Sequence, residues 1–169
     1  CLQDGFVDST WRESSQWGGD ALCEALILSS MSDDVRPIKR PLEMQAFGAY
    51  PDGILPSVLP GEVHAYAVLD YNWMWIELLA AYLQRTGDEN FGRGMWQTLV
   101  KMLERFAQDY NAHGLLISEK GRRLFLDWSP QSRNEPSAVY NLRYLRGLQT
   151  AIDLARRLGD ATNAARWAE

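Results

Sequence analysis

The sequence predicts an all-α fold, a partial α/α toroid of three inner/outer helix pairs within a single domain fragment spanning residues 1–169. Strand patterning is scarce and a 3.6-residue apolar period dominates. The helical segments alternate between apolar nearly all round and apolar on one face, as the inner and outer rings of an α/α barrel require. That alternation alone leaves a generic helical bundle equally open, and the linkers decide. Those leading into the all-round apolar segments are long (about 1–20, 49–63 and 113–136), while those leading out are short. Structureless linkers beyond roughly 12–15 residues are uncommon unless functional.

Taken in order, residues 21–31 are apolar nearly all round, with Glu24 the one charge. Residues 35–48 are mixed, with Val35, Ile38, Leu42 and Ala46 on one side, and Pro41 is expected to kink or split them. Segment 64–86 carries two apolar stripes, Leu69-Trp73-Ile76-Ala80-Leu83 and Val68-Tyr71-Trp75-Leu78-Tyr82, so it is expected to be buried on all sides. Gly87 then supplies a stop and Asp88 an N-cap. The following helix, 88–112, sets Phe91, Met95, Leu99 and Phe106 against Arg93, Lys101 and Glu104. Residues 137–158 open the third pair, and Leu158-Gly159-Asp160 repeats the junction Thr86-Gly87-Asp88 before a final helix.

Composition excludes several classes. The net charge is −5 and no basic stripe interleaves with aromatics, so no nucleic-acid partner is expected. Charges interrupt every apolar run before membrane-span length, so no membrane partner is expected either. Two cysteines exclude a disulfide scaffold, and Cys23, in an apolar run, is expected to be a buried free thiol. His64 and His113 stand far apart with no Cys/His partner at ligand spacing, so neither a metal site nor a cofactor is expected. The chain opens Cys1-Leu2-Gln3-Asp4 with no initiator Met and no signal-peptide pattern, as an excised piece would. Seven Trp, seven Tyr and five Phe serve chiefly as core, but those beside polar loops are candidates for stacking on sugar rings.

In up-down hairpins the three long linkers open at one end of the assembly, and a site is expected there. The first holds Asp8, Arg12, Glu13, Trp17 and Asp20: acceptors, a donor and an apolar face suited to a polyhydroxylated ligand. Each also has a structural reading. Thr10-x-x-Glu13 fits a capping box, Asp20 an N-cap for a helix from Ala21, and Arg12 a charge that neutralises a neighbour. The second linker carries Asp52-Gly53-Ile54-Leu55-Pro56, which also fits a simple turn. The third carries Leu126-Asp127-Trp128. Asp70 reads equally as a site acid or as a satisfied buried acid near a helix start.

Together, Asp8, Arg12-Glu13 and Trp17-Gly18-Gly19-Asp20 resemble the motif that opens the active site of α-L-rhamnosidase catalytic domains. Asp52-Gly53 through Pro56 and Asp127-Trp128 resemble further elements of that family in the same order. The likeness runs over almost the whole chain. Two departures stand out: Ser9-Thr10 where the family reads Cys-Pro, and Leu126 where it reads Gly.

The resemblance implies a six-hairpin (α/α)6 barrel, of which three pairs are half. It implies inverting hydrolysis of terminal α-L-rhamnosides, with Glu13 as the general acid. Asp8 and Asp20 would bind sugar hydroxyls, Trp17 and Trp128 would form the apolar wall, and Asp127 and Arg12 would be further contacts. An acid in that role must hold a proton through burial or through neighbours such as Asp8 and Asp20, so Arg12 is expected to point elsewhere. The family's general base lies in a later hairpin, outside this chain; Glu119 and Glu135 match no family context. The fragment alone is therefore expected to hydrolyse little. Its inner helices are expected to expose apolar edges that pack on the rest of the enzyme or on a second copy. Other six-hairpin enzymes (glucoamylase-like, trehalase-like or phosphorylase) remain open, as does a non-catalytic helical module that binds carbohydrate or protein.

Overall fold

The computed structural model describes residues 5–60, 67–118 and 122–169. Over these, α1 (Gly18–Met31), α2 (Arg36–Phe47), α3 (Tyr71–Thr86), α4 (Glu89–Phe106), a 3-10 turn (Ala107–Asp109), α5 (Ala138–Leu158) and α6 (Ala161–Ala168) follow in order. The described residues form only isolated β-bridges and no strand. Cys1, His64 and Glu119 lie outside the described residues.

The inner row is α1, α3, α5, with α3 in the middle and touching both neighbours. Among the described residues α1 and α5 do not touch each other, so the row is an open arc rather than a closed bundle. The outer helices lie against it: α2 on α1 and α3, α4 on α3 and α5, and α6 on α5. This is the alternation the sequence predicts. The two apolar stripes of α3 are buried as expected, Trp73, Trp75, Ile76, Leu78, Leu79 and Leu83 all lying inside. The Trp73 ring meets Phe106 of α4 at 4.0 Å and Tyr144 of α5 at 4.8 Å between centroids.

Helix ends follow local chemistry. Gly87 (φ 68°) and Gly159 (φ 86°) take the left-handed conformation that closes a helix. The carboxylates of Asp88 and Asp160 then accept the N–H of Phe91 and Asn163, each at 3.0 Å. Trp96 Nε1 donates to Asp160 at 2.8 Å, tying the second junction to α4.

Several expectations need correction. α1 starts at Gly18, so Asp20 sits in its first turn and is not its N-cap. α2 runs unbroken through Pro41. α3 starts at Tyr71, after the linker, and α4 ends at Phe106, where a 3-10 turn takes over. α1, apolar nearly all round, is left open on one side, because among the described helices only α2 and α3 pack on it. Leu26, Ile27 and Met31 are exposed in consequence, and so is Cys23, which is not a buried thiol. Leu142 and Leu145 on α5 are exposed as well, so both ends of the inner arc present open apolar edges, as predicted for half a barrel. No helix of the described residues is long and apolar enough to cross a membrane.

Candidate active site

The three long linkers meet at the N-terminal ends of α1, α3 and α5. Backbone bonds lace the first to the second: Gly18 N–H donates to Ser57 C=O at 2.8 Å and Leu59 N–H to Gln16 C=O at 3.3 Å. The second and third pair in parallel, Leu69 N–H donating to Arg123 C=O at 3.0 Å and Arg123 N–H to Ala67 C=O at 3.3 Å. These bonds satisfy backbone groups that buried linkers would otherwise leave bare.

The first linker closes on itself. Asp8 N–H donates to Ser15 C=O at 3.0 Å and Ser14 N–H to Ser9 C=O at 2.8 Å. Glu13 N–H donates to Ser9 Oγ at 3.1 Å, so the capping side chain is Ser9 and not Thr10. The resulting turn holds the polar side chains together. Arg12 Nη2 lies 2.8 Å from Glu13 Oε1 and 3.8 Å from Asp8 Oδ2. Trp17 Nε1 donates to Glu13 Oε2 at 2.6 Å. Arg12 therefore faces Glu13 and does not point elsewhere, because the turn at 10–13 leaves two adjacent opposite charges on one side. The Arg12 side chain is 71% exposed. Pairs this open contribute at most about 1 kcal/mol, so an incoming ligand can displace it.

The two glycines before Asp20 are there for close approach. A Cβ on Gly18 would stand 2.1 Å from Gln45 Nε2, and one on Gly19 would stand 2.5 Å from Tyr71 Cε1. Gln45 uses that space to donate to Pro56 C=O at 3.3 Å, and Tyr71 uses it to lay its ring against α1. Burial pushes the Asp20 carboxyl above the usual range. Its own backbone hydrogen bond works the other way, and the nearby Asp8, Asp127 and Glu13 reinforce the rise.

The third linker hangs on Asp70, which accepts Phe125 N–H at 3.0 Å and Leu126 N–H at 3.1 Å. Asp70 is thus a satisfied buried acid, and it also orders one wall of the site. Arg133 adds Nε to Phe125 C=O and Nη2 to Asp127 C=O, both at 2.9 Å. Leu126 (φ 53°) and Asp127 (φ 57°) are left-handed, which turns the chain so that Asp127 and Trp128 face the first linker.

All seven singled-out residues line one open cavity of about 370 Å3: the acids Asp8, Glu13, Asp20 and Asp127, with Arg12, Trp17 and Trp128. Sequence reasoning missed Val68, Tyr71, Arg123 and Phe125 as site residues, and they complete its wall. Trp17, Tyr71, Phe125 and Trp128 meet in turn edge to face, at 6.2, 6.1 and 5.1 Å between centroids. A second lobe of about 400 Å3 shares Asp8, Asp20, Tyr71 and Asp127 and runs further along the helices to Glu24, Met74 and Arg143. Each lobe has the volume of a small-ligand pocket.

Nothing from 51–57 lines either lobe. Asp52 instead pairs with Arg122 and accepts Ile54 N–H, which makes that segment a structural turn. Glu135 accepts Ser118 N–H at 3.0 Å, away from both lobes. Among the described residues no three His, Cys, Asp or Glu side chains gather so as to hold a metal ion. A larger cavity, about 1150 Å3, lies between α4, α5 and α6, where Leu103, Leu142, Leu148 and Trp167 make it mainly apolar, and the linkers' acids do not line it.

A family model described as the bacterial alpha-L-rhamnosidase 6 hairpin glycosidase domain matches residues 1–169. A search of curated proteins finds no match. Among solved structures, the chain is similar to a rhamnosidase from Klebsiella oxytoca with rhamnose bound (TM-score 0.87, 24% identity). That alignment covers 99% of this chain and 33% of the other. It is also similar to a GH78 family rhamnosidase of Bacillus sp. GL1 (TM-score 0.89, 24% identity), covering 99% of this chain and 18% of that one. The chain thus spans a third or less of the length of either structure, and at this identity the likeness establishes the shared partial six-hairpin fold.

Proposed function

Since the chain belongs to the bacterial α-L-rhamnosidase six-hairpin glycosidase family, we propose that it forms half of a catalytic barrel that hydrolyses terminal α-L-rhamnosides with inversion. The observation that carries this reading is the convergence of Asp8, Glu13, Asp20 and Asp127 with Trp17 and Trp128 on one cavity. Carboxylates accept from sugar hydroxyls, and indole faces cover C–H surfaces. The similar rhamnosidase from Klebsiella oxytoca has rhamnose bound, which supports the same class of substrate.

Glu13 is the general acid in this reading. Arg12 and Trp17 hold its two oxygens, and the substrate's arrival displaces the exposed Arg12 so that Glu13 can deliver a proton to the leaving oxygen. Inversion needs a second carboxylate about 6.5–9.5 Å away, with a water between it and the sugar. We assign that base to residues beyond this chain, on hairpins that close the barrel over the open edges of α1 and α5. Asp8 and Asp20 hold ring hydroxyls, and Trp17 and Trp128 wall the sugar.

The test is hydrolysis of an alkyl α-L-rhamnoside, whose basic leaving oxygen needs a proton, by the enzyme that contains this chain, wild type against Glu13→Gln. Loss of an essential acid lowers turnover by about 10²–10⁴-fold. Persistent turnover in Glu13→Gln moves the acid elsewhere, and no rhamnoside turnover in the wild type points to another glycoside on the same barrel. The isolated 169-residue chain is expected to turn over little or no substrate.

A further inference from the structure

The second lobe of the cavity is lined further along the same three helices. Asp20 and Glu24 lie one turn apart on α1, Tyr71 and Met74 on α3, and Val139 and Arg143 on α5. It joins the first lobe through Asp8, Asp20, Tyr71 and Asp127. Among its lining residues Arg143 is the one cation, set against five carboxylates. With donors from Arg143, acceptors from Asp20 and Glu24, and apolar surface from Met74 and Val139, the lobe offers what a polyhydroxylated ring requires.

Arg143 is also held in place. Glu77, on α3, is nearly buried and faces two arginines of α5, Arg143 Nη2 at 3.3 Å from Oε1 and Arg146 Nε at 3.1 Å from Oε2. The two are not equivalent. Arg146 makes an aligned hydrogen bond to Glu77, whereas Glu77 Oε1 has no hydrogen-bond partner among the described residues. Arg143 is thus held by charge, and among the described residues no acceptor takes a hydrogen bond from its N–H groups. Arg143 lines the lobe; Arg146 does not.

Resting on the rhamnosidase reading of the site, we propose that Arg143 is a further substrate-binding residue. It donates to hydroxyls of the bound rhamnosyl ring that reach past Asp20 and Asp127 into the second lobe, and Glu77 is its positioning partner. Sequence periodicity hides it, because an arginine on a mixed helix face reads as solvated surface.

The shared partner supplies a matched control. Arg143→Met and Arg146→Met each take one cation from Glu77, but only the first removes a donor from the lobe. In the full enzyme, Arg143→Met should raise KM for p-nitrophenyl α-L-rhamnoside, and the inhibition constant of free L-rhamnose, by about tenfold, the loss of a hydrogen bond from a charged group. Arg146→Met should leave both within about twofold, as an exposed ion pair contributes little. Should Arg143→Met fail to fold, Arg143→Lys keeps the charge beside Glu77 and should still weaken L-rhamnose, because a point charge does not reproduce the planar fork. Equal behaviour of the two Met variants, or unchanged sugar affinity in Arg143→Lys, overturns the role of Arg143 while rhamnoside turnover stands. Absence of rhamnoside turnover in the wild type overturns the reading of the whole site, and the proposal with it.

Discussion

The carboxylate of Asp70 accepts the backbone N–H of Leu126 at 3.1 Å, across 56 positions of sequence. The same group accepts Phe125 N–H at 3.0 Å. One acid at the head of α3 thus pins the linker that carries Asp127 and Trp128. Burial raises its carboxyl above the usual range, against the hydrogen bonds from Phe125 and Leu126.

Asp70→Ala should leave both backbone donors buried without an acceptor. Stranding buried polar groups costs about 1–3 kcal/mol each, so the variant should be destabilised by several kcal/mol in urea. Hydrogen exchange localises the effect: the amides of Phe125 and Leu126 should lose protection while those inside α3 keep theirs. Unchanged exchange at both amides would mean that the linker is held by other contacts.

A second prediction concerns how Glu13 is aimed. Trp17 Nε1 donates to Glu13 Oε2 at 2.6 Å, and the Trp17 ring meets Tyr71 edge to face. Trp17→Phe keeps an aromatic ring but removes the N–H. In the full enzyme kcat on an alkyl rhamnoside should fall by about tenfold with little change in KM, since misaimed catalytic groups lose rate before they lose binding. A rise in KM at constant kcat would instead make Trp17 only a wall of the sugar site.

Much of this arrangement is legible in the sequence, and the misses have physical causes. Alternating periodicity finds the inner and outer helices, and Gly87-Asp88 and Gly159-Asp160 mark their junctions, because both signals are local. The gathering of the seven residues on one cavity is legible through the resemblance of their motifs, since each taken singly also has a structural use. Tyr71 is absorbed into an apolar stripe of its helix, and only the tertiary packing of Gly19 against its ring reveals it as cavity wall. The direction of Arg12 does not follow from the role of its neighbour, because the resting turn obeys charge attraction instead. The exposure of Cys23 follows from which helices cover α1, and that lies beyond the reach of a single segment's periodicity.

The third prediction is a pH dependence. Burial, chiefly, raises the Asp20 carboxyl above its ordinary value of 3.8. Between the unfolded and folded values the folded state binds more protons, so this group's contribution to stability is full below about 3.8 and is lost as pH rises through the folded value. Asp20→Asn removes that loss. Measured by urea midpoint, the variant should gain on the wild type as pH climbs from about 4 to about 7, the range above the unfolded value, while rhamnoside turnover falls. A difference that stays flat or shrinks with pH would contradict the raised carboxyl. A site acid that burdens the fold at neutral pH is the usual trade between stability and function.

The fourth prediction turns on Leu126, which stands where the resembled family has Gly and adopts φ 53°. The left-handed conformation costs a residue with a Cβ about 1–2 kcal/mol. The Leu126 side chain is buried, and burying a leucine returns about 1.5–3 kcal/mol. The two nearly offset, which is how a leucine persists at a position whose backbone favours glycine. Truncation should therefore follow an inverted order. Leu126→Ala gives up the burial and keeps the strain, whereas Leu126→Gly gives up the burial and sheds the strain. Glycine's greater freedom in the unfolded chain takes back only about 0.4–1 kcal/mol. Leu126→Gly should thus melt above Leu126→Ala, though below the wild type. The ordinary order, with alanine the milder change, would show that the left-handed backbone at this turn stores no strain.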